Sequence, residues 1–135
     1  MLLSRRQTIL SFAVVTGLCA TGKLAFARSR DPLYGLDTDN DRTIDLQEAK
    51  KAASAVFDRL DRDHDGTLDL RELRGRLTAR ELRAADPDRD NTLTKDEYLA
   101  LVEKRFNAAN PDHDGTIDAK ELKTRAGQAL LRLLR

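Results

Sequence analysis

Eighteen of the 23 acidic residues stand at the ligand positions of four stretches that repeat one spacing of oxygen-bearing side chains. The second stretch shows the pattern whole. Asp61, Asp63, Asp65, Thr67, Asp69 and Glu72 stand at positions 1, 3, 5, 7, 9 and 12, with Gly66 at position 6. A hard cation of calcium size takes about six to eight oxygens at roughly 2.3–2.6 Å. Asp61, Asp63 and Asp65 supply oxygens from one side. The chain turns at Gly66, which tolerates positive φ. The Thr67 carbonyl then faces inward, Asp69 acts directly or through water, and Glu72 closes the site with both carboxylate oxygens. The chemistry is the capture of a multivalent cation.

The other three stretches repeat the pattern. The first holds Asp37, Asp39, Asp41, Thr43, Asp45 and Glu48. The third holds Asp86, Asp88, Asp90, Thr92, Thr94 and Glu97, and the fourth Asn110, Asp112, Asp114, Thr116, Asp118 and Glu121. Position 8 is apolar in all four: Ile44, Leu68, Leu93 and Ile117. This is the EF-hand loop spacing. Of the acids, only Asp31, Asp58, Glu81, Asp96 and Glu103 lie elsewhere, so the acids are placed for ligation and not scattered over helix faces. His64 and His113 occupy position 4, which points outward, and read as solvated. An enzyme is not expected, because there is no His-rich metal cluster, nucleophile–base spacing or phosphate loop. Nor is a nucleic-acid binder, in a chain with 4% aromatic residues and an acidic mature segment.

The spacers between loops predict how the loops are carried. Leu46–Leu60 is an amphipathic helix with Leu46, Ala49, Ala53, Val56, Phe57 and Leu60 on one stripe. Only Ala49–Leu60 separates loops 1 and 2, about 18 Å of helix. One shared helix fits there, so loops 1 and 2 sit at its opposite ends. Thr78–Glu81 is a capping box after Gly75. It predicts a short helix ending near Leu77 and another starting at Ala79, a bend that brings loop 2 beside loop 3. Tyr98–Ala109 is again continuous, with Tyr98, Leu101, Val102, Phe106 and Ala109 inward, and returns loop 4 to loop 1. The expected fold is all-α, a compact helical bundle with four EF-hand loops. Loops 2/3 and 1/4 pair through Leu68 with Leu93 and Ile44 with Ile117. The tail Ala119–Leu134 is expected to be helical. Its stripe of Leu122, Ala126, Leu130, Leu133 and Leu134 covers the core, the alternative being a partner or membrane contact through Leu130, Leu131 and Leu134. Tyr34 and Leu36 are expected core contacts.

Residues 1–27 read as a cleaved export signal: Arg5 and Arg6, an apolar run Ile9–Ala20, and Ala25-Phe26-Ala27 as the cleavage site. Ser4-Arg5-Arg6-Gln7 leaves general or twin-arginine export open. Leu18 before Cys19 is too large for a usual lipidation box. The mature domain, 28–135, carries 21 basic against 23 acidic residues and no cysteine. Bound metal is then the staple in place of disulfides. Arg42 at position 6 of loop 1 is expected in a left-handed conformation at a cost of about 1 kcal/mol.

A trivalent ion gains about half again the Coulomb energy per carboxylate that calcium does, which favours lanthanide(III) ions in loops with four or five acids. Five-carboxylate loops also suit calcium, so charge leaves both open. Loop starts 24, 25 and 24 residues apart, the segments Asn110–Leu122 and Ala126–Leu130, and the leader resemble lanmodulin, a periplasmic lanthanide-binding family. The resemblance implies a helical bundle with the same loop pairing, selective lanthanide(III) binding, folding on binding, and a weak fourth loop, matched here by Asn110. It further implies partners in a lanthanide-dependent dehydrogenase or uptake system, with a monomer or weak dimer as carrier and no membrane contact after signal removal. The chain departs from that family at Thr38 and Arg62, where proline is usual, at Arg42 and Asn91 in position 6, and at Thr94 in position 9. The expected order of loop strength is 2, 1, 3, 4.

Overall fold

The two long helices begin where a position 9 side chain caps them. The computed structural model describes residues 31–135, and the export-signal reading of 1–27 and the mature start at Arg28 lie outside them. Asp45 and Thr94 each accept the N–H three residues on, while Glu48 and Glu97 reach back to the cap's own N–H. These reciprocal capping boxes satisfy donors that a helix start otherwise leaves unpaired. From them run α1 (Leu46–Leu60) and α3 (Lys95–Ala109), fifteen residues each. Thr78 caps the shorter α2 (Ala79–Ala85) in the same way. The last helix, α4, spans Arg125–Leu134.

Four short strands join these helices. They are β1 (Thr43–Asp45), β2 (Thr67–Leu68), β3 (Leu93–Thr94) and β4 (Thr116–Asp118). β1 pairs antiparallel with β4, Ile44 opposite Ile117, and β2 with β3, Leu68 opposite Leu93. The fold is thus mainly helical, with two two-stranded ribbons. All four position 8 side chains are fully buried.

α1 packs against α3, and α4 lies against both. Phe57 and Tyr98 meet edge to face with centroids 5.8 Å apart, and Val56, Leu60, Val102 and Phe106 fill the space around them. Two ion pairs at 2.7 Å, Lys50 with Glu103 and Lys95 with Asp58, lie outside this seam. Arg105 is half-sequestered: it pairs with Glu81 of α2 at 2.9 Å and donates to the Ala129 carbonyl of α4 at 2.6 Å, tying three helices together. Burial lowers the Arg105 pKa. The Thr78 N–H, then the Thr78 hydroxyl and the Arg105 charge, hold the Glu81 pKa below the usual carboxylate range against the effect of burial.

Three expectations are corrected. Leu70–Gly75 forms turns, not a helix ending near Leu77. The Leu73 N–H closes one helical turn on the Asp69 carbonyl. Arg74 and Gly75, at φ 46° and 77°, then leave helical space. The tail is not one helix either. A 3-10 turn, Glu121–Lys123, ends at Thr124, whose extended backbone (ψ 165°) restarts the chain as α4 and whose hydroxyl caps the Gly127 N–H. Gly127 fits because a Cβ there would lie 2.2 Å from the Glu121 carbonyl oxygen. Finally, Tyr34 is 60% exposed, and Leu33 takes its place in the core beside Leu36. A short 32–36 turn, with Leu36 and Asp37 N–H groups on the Leu33 carbonyl, sets that phase.

Leu130, Leu131, Leu133 and Leu134 are buried, so α4 covers the core and leaves no leucine stripe for a partner or membrane. Among the described residues, no helix is long and apolar enough to cross a membrane.

Candidate metal centre

Three sets of carboxylates converge. Asp37, Asp39 and Glu48 form one, Asp61, Asp63 and Glu72 a second, and Asp86, Asp88 and Glu97 a third. In each set the ligand oxygens lie within 4.8 Å of one another. These are positions 1, 3 and 12 of loops 1, 2 and 3. Loop 4 has Asn110 at position 1, so it brings Asp112 and Glu121 without a third acid there.

The backbone explains the convergence. Position 1 anchors the loop by accepting the position 6 N–H: Arg42 to Asp37 at 3.0 Å, Gly66 to Asp61 at 3.1 Å, and Asn91 to Asp86 at 2.8 Å. Position 6 takes φ between 68° and 92° in all four loops, the geometry that lets it donate there in loops 1, 2 and 3. Position 4 is left-handed as well, at Asn40, His64, Arg89 and His113. Asn and His are among the types enriched there and Arg is not, so Arg89 is the position 4 residue with no compositional sign of this second turn. Both histidines are exposed.

Position 5 is held by threonine. Asp41, Asp65, Asp90 and Asp114 each accept both the N–H and the hydroxyl of the threonine two residues on, at 2.6–3.1 Å. The Thr43 pair draws the Asp41 pKa down. Position 9 turns to the following turn or helix: Asp45, Asp69 and Asp118 accept the position 12 N–H at 2.7–2.8 Å. For Asp118 that bond is foremost in lowering its pKa. A side chain so engaged reaches the ion through water more readily than directly.

Position 12 divides the loops. In loops 1 and 2 the glutamate Oε1 accepts the position 2 N–H, Thr38 to Glu48 at 2.5 Å and Arg62 to Glu72 at 3.0 Å. Thr38 adds its hydroxyl at 2.8 Å. Burial pushes the Glu48 pKa up, but these Thr38 donors and the Asp45 N–H bring it net below the usual range. Loops 3 and 4 have Pro87 and Pro111 at position 2. Proline has no N–H, so Glu97 and Glu121 lack that tether. The proline spacing was visible in the sequence; the tether it removes was not.

The charges press on one another. Close approach of the Asp86 carboxylate, then burial, raises the Asp88 pKa. Burial pushes the Asp86 pKa up, but the Asn91, Arg89 and Asp90 N–H groups hold it net low. The Asp41 N–H lowers Asp39, yet burial and the charges of Asp41 and Glu48 leave it net raised. Two buried oxygens, Asp61 Oδ1 and Asn110 Oδ1, have no hydrogen-bond partner. An unpartnered buried oxygen is costly, and a cation is the partner that oxygen-only clusters of this sort accept. The residues fit a hard multivalent ion.

Family models described as EF hand match residues 54–78 and 112–124, and one described as an EF-hand domain pair matches 81–105. No curated protein matches the chain. The matched segments contain loops 2 and 3, two of the three loops whose carboxylates converge, and most of loop 4. The chain carries EF-hand domains, and its clustered acids are those of an EF-hand metal-binding protein.

Proposed function

We propose that this is an exported protein of the lanmodulin kind. It binds lanthanide(III) ions in preference to calcium, folds on binding, and serves their uptake, buffering or delivery. The observation that carries the reading is the crowding of acids at three of the four loops, within 4.8 Å, with further carboxylates at positions 5 and 9 of loops 1 and 2. The repulsion seen at Asp39 and Asp88 is relieved by ionic charge, and a trivalent ion relieves more of it than a divalent one. The same repulsion opposes compaction before metal arrives, so metal binding and folding are linked. The reading of residues 1–27 as an export signal, with the likeness in loop spacing, supports a periplasmic location. Delivery to a lanthanide-dependent dehydrogenase or an uptake system follows from the same reading, as does a non-enzymatic role.

An exported calcium sensor or buffer is the second reading. It is favoured by Thr94 and Asn110, neutral ligands in loops 3 and 4 that suit a divalent ion. Far-UV circular dichroism of the chelator-stripped protein, titrated with calcium and with lanthanum, separates the two. The expected result is a rise in helicity at far lower free lanthanum than calcium. A complete response at micromolar calcium, no weaker than that to lanthanum, overturns the first reading in favour of the second.

A further inference from the structure

The segment joining loops 2 and 3 carries a surface that the metal sites do not use. Leu70 is 44% exposed and borders a notch of about 130 Å³ with Ala79, Leu82 and Asn91. Arg83 lines the same notch. Arg80 stands one turn before it on α2, and Arg71 and Arg74 follow Leu70 in the turns that lead to α2. All four arginines are exposed, and among the described residues none forms an ion pair. Residues three apart on a helix share a face, so Arg80 and Arg83 act together. We propose that this notch and its arginines form a docking surface for an acidic protein segment that inserts a single apolar side chain.

Charge and shape select that occupant. Unpaired guanidinium groups match carboxylates in forked geometry, and the notch has room for one side chain. A membrane surface needs a broad apolar face, yet among the described residues Leu70 and Tyr34 are the exposed large hydrophobics. A single-stranded nucleic acid needs aromatic platforms, and no aromatic residue lies between Leu70 and Asn91. The notch also spans two metal loops: Leu70 is position 10 of loop 2 and Asn91 position 6 of loop 3. The nine carboxylates of those loops repel an acidic partner when no ion is bound, and bound cations reverse that field. Docking is therefore gated by metal. This clause rests on the metal-binding reading; the arginine contacts do not.

The test is fluorescence anisotropy of a labelled Glu-rich peptide with one Phe, mixed with the full chain loaded stoichiometrically with lanthanum. The expected result is saturable binding that weakens at least about tenfold in Arg80→Glu/Arg83→Glu. It survives Arg80→Lys/Arg83→Lys, falls several-fold with Leu70→Ser or with the peptide's Phe changed to Ser, and is lost in chelator. Helicity checked by circular dichroism shows each variant folded. Binding indifferent to the charge reversal overturns the proposal. So does tighter binding of phosphatidylglycerol vesicles or a single-stranded oligonucleotide, or self-association in sedimentation that blocks the peptide. Equal binding by the stripped and loaded chains overturns the gating. A chain that takes up no lanthanum sinks the metal reading and the gating with it; peptide binding by that chain that Arg80→Glu/Arg83→Glu still weakens keeps the docking surface, and no binding overturns it.

Discussion

The Tyr98 hydroxyl donates to the Leu133 carbonyl across 2.8 Å in the fully buried seam between α3 and α4. Tyr98 directly follows Glu97, the closing glutamate of loop 3, and Leu133 lies in the last turn of α4. A last-turn carbonyl has no partner within its own helix, so the tyrosine supplies one. Tyr98→Phe keeps the ring against Phe57 and orphans that carbonyl. The expected loss is about 1–3 kcal/mol, read as a lower denaturant midpoint of the metal-loaded chain with an unchanged slope. A midpoint equal to that of the parent chain refutes the role.

The same hydroxyl gives a pH signature. Burial raises its pKa from 10.0 to about 12. The neutral phenol is the form the fold holds. Its contribution is whole below pH 10 and is lost as pH rises through 12. The chain has two tyrosines, so a Tyr34→Phe variant isolates Tyr98. In calcium, its phenolate absorbance is expected to appear near pH 12 and together with unfolding. Ionisation near pH 10 in a still-folded chain contradicts the buried bond.

Loop 1 tests backbone strain. Arg42 sits at φ 73° and donates its N–H to Asp37 at 3.0 Å. A side chain there costs about 1–2 kcal/mol, partly offset in a glycine variant by the roughly 0.4–1 kcal/mol of unfolded-chain entropy that glycine restores. Arg42→Gly is expected to tighten the first site by roughly two- to fivefold, measured by calorimetric titration. A weaker site shows that the arginine contributes a contact that outweighs its strain.

Much of this architecture was readable because packing follows period. The stripe Ala49, Ala53, Val56, Phe57, Leu60 is buried as its three-four spacing requires, and so are Tyr98, Val102, Phe106 and Ala109. The carboxylate sets were readable because ligand spacing is a local property of twelve residues. What the sequence hid depends on backbone angles or distant contacts. Arg74 at φ 46° gives no compositional signal, so the turn after loop 2 looked helical. Thr124 breaks the tail because its hydroxyl finds the Gly127 N–H, a choice made by packing on Glu121. Leu33 and Tyr34 differ by one residue, and a single turn decides which enters the core. The position 2 tethers in loops 1 and 2 belong to this class too: they are visible only once Glu48 and Glu72 have folded back.

That break gives a sharp test of the last helix. A Cβ on Gly127 would meet the Glu121 carbonyl oxygen at 2.2 Å and the Leu122 Cα at 2.5 Å. Both are backbone, so relief requires α4 to shift. Gly127→Ala gains helix propensity of about 1 kcal/mol in an unconstrained helix, yet overpacking costs about 1–3 kcal/mol. The expected outcome is a net loss of thermal stability, with loop 4 affected most because Glu121 carries the clash. A more stable variant shows that α4 is free to move off the 3-10 turn.

Asn110 offers the test with opposite signs. It is 4% exposed at position 1 of loop 4, and its Oδ1 has no hydrogen-bond partner. The aspartates at this position in loops 1, 2 and 3 accept the position 6 N–H at 2.8–3.1 Å. Asn110→Asp gives loop 4 as many ligand-position carboxylates as loop 2 and a charged acceptor at position 1. Charge-assisted bonds are about twice as strong as neutral ones, so metal affinity at loop 4 is expected to rise on the order of tenfold or more. Without metal, the same substitution places one more buried charge beside Asp112 and Glu121, which destabilises the fold. Thermal unfolding should therefore move up in lanthanum and down in chelator. A shift in the same direction under both conditions would show that Asn110 serves packing alone and that loop 4 takes no ion through position 1.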